Sequence, residues 1–365
     1  MTSDFDPNQF SDNVVFRLAQ NRTFSLSFET ARKIMIVVVP EHATISGGIL
    51  SFFTIAQTMK KLKKSHGYEV LTMTRFNPQE LTYIRNLNFV NSETVYRFDQ
   101  ITRCRGCQDM YIHVPECFAA SFYDDLTAEL RDYITSRETV HINILNQNTE
   151  LMPEREGFAD LYQLTDNISQ SVAHEAYFSQ QHADRYNLPT LFLPAYIDLG
   201  GTRRADFDQK EKLIIYSPDE AAHRDACLSK LRNELPDFQL VEIRDITFEN
   251  FVDLATRCLF SISFGEGFDG YVLHPIHQGS IGLTAYREEF FPSRNFCEYP
   301  NIFETPAKMV EDIASFIREY SANRDAYENL ASRLRGEYDR LYGIDRYVAC
   351  LTALAQRKFD FYPHR

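Results

Sequence analysis

The segment Phe264-Gly265-Glu266-Gly267-Phe268-Asp269-Gly270-Tyr271 is the part of the chain best equipped for chemistry. Three glycines flank two carboxylates. Glycine lets the backbone approach a ligand closely, because no side chain stands between them. A helix that starts just after such a loop offers the unpaired N–H groups of its first turn to a phosphate. A plain strand-to-helix turn also uses Gly and Asp, so the residues alone leave both readings open. A second glycine pair, Gly47-Gly48 after Ser46, follows the apolar run Lys33-Ile34-Met35-Ile36-Val37-Val38-Val39.

Other residues could supply charge or hydrogen bonds. Ser217-Pro218-Asp219-Glu220 reads as a capping box that opens a helix over 219–233. Arg224 lies about one turn into that helix and is the first choice for a cation; a solvated helix arginine is the alternative. His113 sits at an expected strand end in Tyr111-Ile112-His113-Val114-Pro115-Glu116, where it faces a ligand or is an ordinary interior histidine. Asn146, Gln147 and Asn148 end another strand and could both donate and accept hydrogen bonds toward a polar ligand. His42 stands before the first glycine pair. Cys104-Arg105-Gly106-Cys107 lacks the second ligand pair that a zinc site needs, although His113 and Cys117 are near in sequence. Plain structural thiols are the simpler reading. Lys60, Lys61, Lys63 and Lys64 close a helix over 50–64, where they suit its dipole or meet an anionic surface.

These residues need elements to hold them. Short apolar runs at 33–39, 68–74, 110–114, 140–145 and 191–193 read as strands, with a helical stretch at 118–136. A second series begins near 212. Strands at 212–216, 238–243, 259–264 and 281–286 alternate with helices at 219–233, 247–257 and 271–278, and the chain is helical from about 305. That alternation means βαβ units and parallel sheets. The polar stretch Gly200–Asp206 separates the two series. The expected fold is α/β, with two Rossmann-like doubly wound domains facing a cleft. The domains are 1–205 and 206–340, and a C-terminal helix at about 341–365 returns to the first domain. The sheets would bind ligands at their carboxyl edges.

With 365 residues the chain is long enough for two domains. A net charge of −13 excludes a broad nucleic-acid surface. No stretch approaches the roughly 20 apolar residues of a membrane span. The first 30 residues carry no leader pattern, and seven scattered cysteines read as reduced thiols. A cytoplasmic protein is expected, with peripheral contact at the inner face of the membrane as an extension of that reading.

Ser263–Tyr271, with Ile276-His277-Gln278-Gly279-Ser280-Ile281-Gly282 behind it, resembles the nucleotide-sugar motif of the retaining, family 4-like glycosyltransferases of the GT-B fold. Glu266 matches the first Glu of that motif. The second Glu, eight positions on, is His274 here. Ser46-Gly47-Gly48-Ile49 is similar to the family's phosphate-approaching loop. Leu193-Pro194-Ala195-Tyr196-Ile197-Asp198 resembles its segment before the domain crossover.

The resemblance implies a transferase that moves a sugar from a nucleotide-diphosphate donor to a glycan or lipid-linked acceptor, with retention, in bacterial surface polysaccharide synthesis. It implies that Gly47, Gly48, Gly265, Gly267, Phe268, Asp269, Gly270 and Arg224 meet the donor, and that His274 meets its ribose. Glu266 orients the donor sugar and His113 stands near the reacting sugar. No metal and no cofactor beyond the donor substrate are expected. An inactive partner subunit of the same fold, and a nucleotide-sugar epimerase, are the alternatives; the His274 departure favours the inactive one.

Overall fold

The computed structural model describes residues 24–40, 47–75, 93–196 and 204–364. His42, Ser46, Ile197, Asp198 and residues 200–203 lie outside the described residues. The chain divides into two compact units. The first takes the residues up to Ala173, Phe178–Ala195 and those from Val348 onward; the second takes His174–Tyr177 and Tyr196–Tyr347.

The first unit is a seven-stranded sheet in the order β3-β2-β1-β4-β5-β6-β7. The strands are β1 Lys33–Val39, β2 Glu69–Thr74, β3 Val95–Arg97, β4 Asp109–Pro115, β5 Thr139–Asn146, β6 Ile168–Val172 and β7 Thr190–Phe192. Every neighbouring pair is parallel. Parallel strands are covered on both faces, so β1 is apolar and buried from Ile34 to Val39. Sequential strands run outward from β1 to β3, then resume at β4 on the other side. The order therefore reverses between β1 and β4, the place where such sheets admit ligands.

One face of this sheet packs Ile34, Ile36, Val38, Ile112, Val114, Ile142 and Ile144 into an apolar core. A buried polar layer runs across β4 to β7. His141 pairs with Ser169 Oγ at 2.9 Å, Ser169 donates to Asn143 Oδ1 at 3.1 Å, and Asn143 donates to Ser171 Oγ at 3.0 Å. That layer explains β6, whose Ser-Gln-Ser centre gives no apolar run in the sequence. Its side chains are satisfied by neighbouring strands, so burial costs little.

Three helices of the first unit matter here: α1 Gly47–Lys61, α2 Ala128–Thr135 and α3 Gln180–Tyr186. The lysine cluster at the end of α1 is partly matched, since Lys60 pairs with Glu93 and Lys63 with Glu69. Cys104 and Cys107 are buried free thiols in the core, and burial pushes them up to about 12 and about 11. The C-terminal segment joins this unit through an antiparallel bridge between Phe361 and Thr190 of β7.

The second unit holds a five-stranded sheet in the order β12-β11-β10-β8-β9. The strands are β8 Glu211–Tyr216, β9 Gln239–Glu242, β10 Cys258–Ile262, β11 Ile281–Ala285 and β12 Ile302–Phe303, again parallel throughout. Its helices are α4 Arg224–Glu234, α5 Phe248–Arg257, α6 Gly270–His277, α7 Pro306–Ala322 and α8 Arg324–Tyr342, with α9 Ile344–Ala355 following. Thr247, Thr305 and Asn323 cap α5, α7 and α8 by accepting first-turn N–H groups.

The capping box expected at Ser217 is corrected. Helix α4 begins at Arg224, and Ser217 Oγ accepts the amide of Phe264 at 3.0 Å instead. That bond ties the end of β8 to the end of β10, and 217–222 stays a loop at the carboxyl edge. Among the described residues, no helix is long and apolar enough to cross a membrane.

Candidate functional site

In the second unit the glycine loop sits where the sequence places it, between β10 and α6. Its conformation is fixed from within. Asp269 is the N-cap of α6: Oδ1 accepts the amide of Tyr271 at 2.8 Å. Oδ2 accepts from Ser263 Oγ at 2.5 Å and from the Gly267 amide at 3.3 Å. Burial, and the nearby Asp219 charge, push the Asp269 carboxyl up to about 6 against the pull of those bonds. Gly267 has φ of +83°, and a Cβ there would meet Thr284 Oγ1 at 2.6 Å. This position therefore requires glycine on both counts.

The first turn of α6 is thus less open to phosphate than the sequence suggests. Asp269 holds the Tyr271 amide, and its carbonyl accepts from Val272 and Leu273. Phe268 turns its ring inward onto Phe291 and Phe296, with centroids 5.1 Å away in each case. Glu266 is half-buried in the loop, and its charge acts on the hydroxyl of the partly buried Tyr342.

Two carboxylates crowd the loop. Besides Glu266, Asp219 lies directly over Gly265, where a Cβ would come within 2.6 Å of Asp219 Oδ2. An anionic ligand needs a cation against that field. Arg224 is not placed to provide it: its guanidinium donates to Glu242 Oε1 at 2.9 Å and lies 3.6 Å from Asp225. Arg287, just after β11, does reach the loop, donating to the Gly265 carbonyl at 3.2 Å. Sequence reasoning passed over Arg287, and it placed Asp219 in the first turn of a helix rather than over Gly265. A strand-end position in Tyr286-Arg287 is the signal that could have found the first.

His274 is buried inside the unit rather than displayed at the loop. Its ring packs on Phe251 (5.6 Å) and Phe248 (5.8 Å) of α5 and under Gly270, whose Cβ would stand 3.3 Å from it. Burial drives its pKa down to about 3, so it is neutral.

In the first unit, Gly47 and Gly48 open α1 at the carboxyl end of β1, and Gly47 has open space around its Cα. His113 lies within β4, register-paired with Val37 and Asn143, rather than at its end. It is fully enclosed, with its ring 4.3 Å from that of Tyr111. Neither ring nitrogen has a hydrogen-bond partner among the described residues, and burial holds its pKa near about 3.

The residue that follows β4, Glu116, escaped the sequence reading. It is buried beside Gln147 and Asn148, and burial pushes it up to about 7. Among the described residues, no group of three or more His, Cys, Asp or Glu side chains is placed to hold a metal ion.

No family model matches the chain, and no curated protein does. Solved structures do match in fold. A protein assigned as a UDP-N-acetylglucosamine 2-epimerase from Listeria monocytogenes aligns with 91% of this chain and 100% of its own, at 9% identity and a TM-score of 0.53. MnaA of S. aureus, solved with UDP, aligns over 87% of this chain and 94% of its own at 10% identity and a TM-score of 0.50. The N-terminal domain of trehalose-6-phosphate phosphatase from Candida albicans aligns over 89% and 97%, at 9% identity and a TM-score of 0.50. Two Rossmann-like units in one chain, as in the GT-B fold, are therefore common to this protein and its structural neighbours.

Proposed function

We propose that the protein is a transferase acting on nucleotide-diphosphate sugars and passing the sugar to a glycan or lipid-linked acceptor, in the service of surface polysaccharide synthesis. The observation that carries this reading is the Gly265–Gly270 loop. It is a glycine-built turn at the carboxyl edge of a parallel sheet, and it carries the half-buried carboxylate Glu266. In the proposed roles, Glu266 orients the donor sugar and the loop backbone at Gly265, Gly267 and Gly270 approaches the diphosphate. Arg287 takes the part first given to Arg224, because Arg287 reaches the Gly265 carbonyl whereas Arg224 is held by Glu242 of β9. Gly47 and Gly48, at the start of α1, are the corresponding backbone approach in the first unit. The cation and amides stabilise charge that builds on the departing diphosphate.

A second reading is a nucleotide-sugar epimerase. It is favoured by the neighbour assigned as a UDP-N-acetylglucosamine 2-epimerase, which this chain matches from end to end. Both readings require nucleotide-sugar binding. The test is calorimetry and thermal shift against UDP, GDP, dTDP and CMP and their sugars, since a ligand of the folded state raises apparent stability. A hit followed by chromatography of the sugar product separates transfer from epimerisation. Failure of every nucleotide to bind leaves the inactive partner subunit as the reading.

A further inference from the structure

The proposed donor site must hold a nucleotide-diphosphate sugar and let the spent nucleoside diphosphate go. We propose that Asp219 makes that distinction: its carboxylate stands beside the place of the sugar-bearing phosphate and disfavours the free nucleoside diphosphate more than the nucleotide sugar. The proposal rests on the donor reading above, and its test separates the two.

Every residue concerned belongs to the second unit. Asp219 lies in the loop between β8 and α4, and the glycine loop follows β10, the strand next to β8. Two hydrogen bonds fix the residues just before Asp219. Ser217 Oγ accepts the Phe264 amide at 3.0 Å, and Arg244 donates to the Pro218 carbonyl at 3.1 Å. Asp219 is thereby set against Gly265. A Cβ on that glycine would lie 2.6 Å from Asp219 Oδ2, 2.8 Å from its Cγ and 3.4 Å from Oδ1. The bare side of Gly265, which a phosphate held on the backbone would use, is therefore faced by both oxygens of a carboxylate.

Among the described residues, that carboxylate takes part in no hydrogen bond and no ion pair. Its charge is felt close by. Burial raises the Asp269 carboxyl and the Tyr271 hydroxyl, and the Asp219 charge raises both further. The place is open to solvent: Asp219, Gly265, Glu266 and Gly270 are all partly exposed.

Glu266 follows Gly265 directly and orients the sugar in the proposed roles. The phosphate that meets Gly265 is then the one that carries the sugar. While the sugar is attached, that phosphate has a single negative charge. Once the sugar has left it is a terminal phosphate, which takes on a second charge near neutral pH. Repulsion by a fixed carboxylate grows with the charge on the ligand. Arg287, which donates to the Gly265 carbonyl at 3.2 Å, attracts both forms. With Asp219 beside the same residue, the extra charge of the spent nucleotide loses to the carboxylate what it gains from the guanidinium. The nucleotide sugar is held, and the spent nucleotide is not held more tightly for its added charge.

The experiment titrates the full chain by calorimetry with UDP and UDP-glucose, GDP and GDP-mannose, and dTDP and dTDP-glucose. The proteins are the wild type, Asp219→Asn and Glu220→Gln. Asp219→Asn keeps the shape of a partly exposed loop residue, so the fold should be retained. It should tighten binding of the nucleoside diphosphate by about tenfold or more, and of its sugar ester by about threefold or less. High salt should shrink that gain. Glu220→Gln removes the same charge from the exposed neighbouring position and should leave the ratio of the two affinities unchanged. NMR gives a reading without ligand: Asp269 should titrate at about 6 in the wild type and lower in Asp219→Asn.

An affinity ratio in Asp219→Asn equal to that of the wild type overturns the proposal while the donor reading stands. An Asp269 titration that does not move in Asp219→Asn overturns the placement of the carboxylate, and the proposal with it, whatever the ligand. If neither the wild type nor Asp219→Asn binds any of the six compounds, the donor reading falls and takes this proposal with it.

Discussion

Asp269 Oδ1 accepts the Tyr271 amide at 2.8 Å, so the helix behind the glycine loop is capped by the loop's own carboxylate. A phosphate at α6 would have to displace that cap or settle on the amides ahead of it. The loop's rigidity and its restricted anion site come from the same residue.

Asp269→Ala removes the cap and the partners of Ser263 and Gly267. We expect a loss of about 1–2 kcal/mol in urea unfolding, the range for a lost cap. Asp269→Asn should retain much of the cap and change the pH response. The carboxyl's folded pKa of about 6 lies above its ordinary 3.8. The folded state therefore binds this proton more tightly than the unfolded chain. Its contribution is full below pH 4 and is lost as the pH rises through 6. Melting curves between pH 4 and 7 should contain that decline in the wild type, and Asp269→Asn should reduce it.

Glu266→Gln tests the donor site. The side chain stands in a loop, outside the core, so stability should move by no more than about 0.5 kcal/mol. Transfer or epimerisation should fall by about 100-fold or more if the carboxylate orients the sugar in the transition state. Near-normal turnover with an unchanged melting temperature would remove Glu266 from the site.

The strands were largely legible in the sequence because parallel, doubly covered strands leave continuous apolar runs; β1 coincides with its run residue for residue. β6 was not legible, because its burial is satisfied by side-chain hydrogen bonds to His141, Asn143 and Thr190 rather than by apolar contact. At the site, the glycine loop could be read from residue types, since Gly267 needs positive φ. The partner of Arg224 could not. Glu242 is 18 residues away at the end of β9, and only the fold brings it to the first turn of α4. Glu116 was hidden for the same reason. Its character comes from burial and from the Asn148 amide, neither of which appears in a Pro-Glu-Cys sequence.

His113 gives a prediction about acid stability. Its folded pKa of about 3 lies below the ordinary 6.5, as does that of His274, also about 3. Both rings are neutral in the folded state while the unfolded chain takes up protons. Stability should therefore fall as the pH drops below 6.5, and go on falling toward 3. His113→Leu removes two unpartnered buried nitrogens at similar volume. We expect equal or higher stability at pH 7 and a shallower loss between pH 6.5 and 4, measured by denaturant midpoints. A folded His113→Leu protein that binds nucleotide sugar but has lost turnover would instead make the ring part of the chemistry.

Arg287 and Arg224 make opposite predictions about the diphosphate. Arg287 donates to the Gly265 carbonyl from a side chain 42% exposed and lies 3.9 Å from Glu289, so its charge stands at the loop within an exposed, loosely held ion pair. Arg224 is 15% exposed and matched by Glu242. Arg287→Met should weaken UDP binding by about tenfold or more, the order expected for a charge-assisted bond to phosphate. It should also flatten the salt dependence of that binding, because the lost term is the screened one. Arg224→Met should leave nucleotide affinity within about twofold. Its cost falls on stability, since Glu242 keeps Arg244 but loses its second cation. Calorimetry with UDP at two ionic strengths reads both variants. A large affinity loss in Arg224→Met with none in Arg287→Met would return the cation's role to the start of α4.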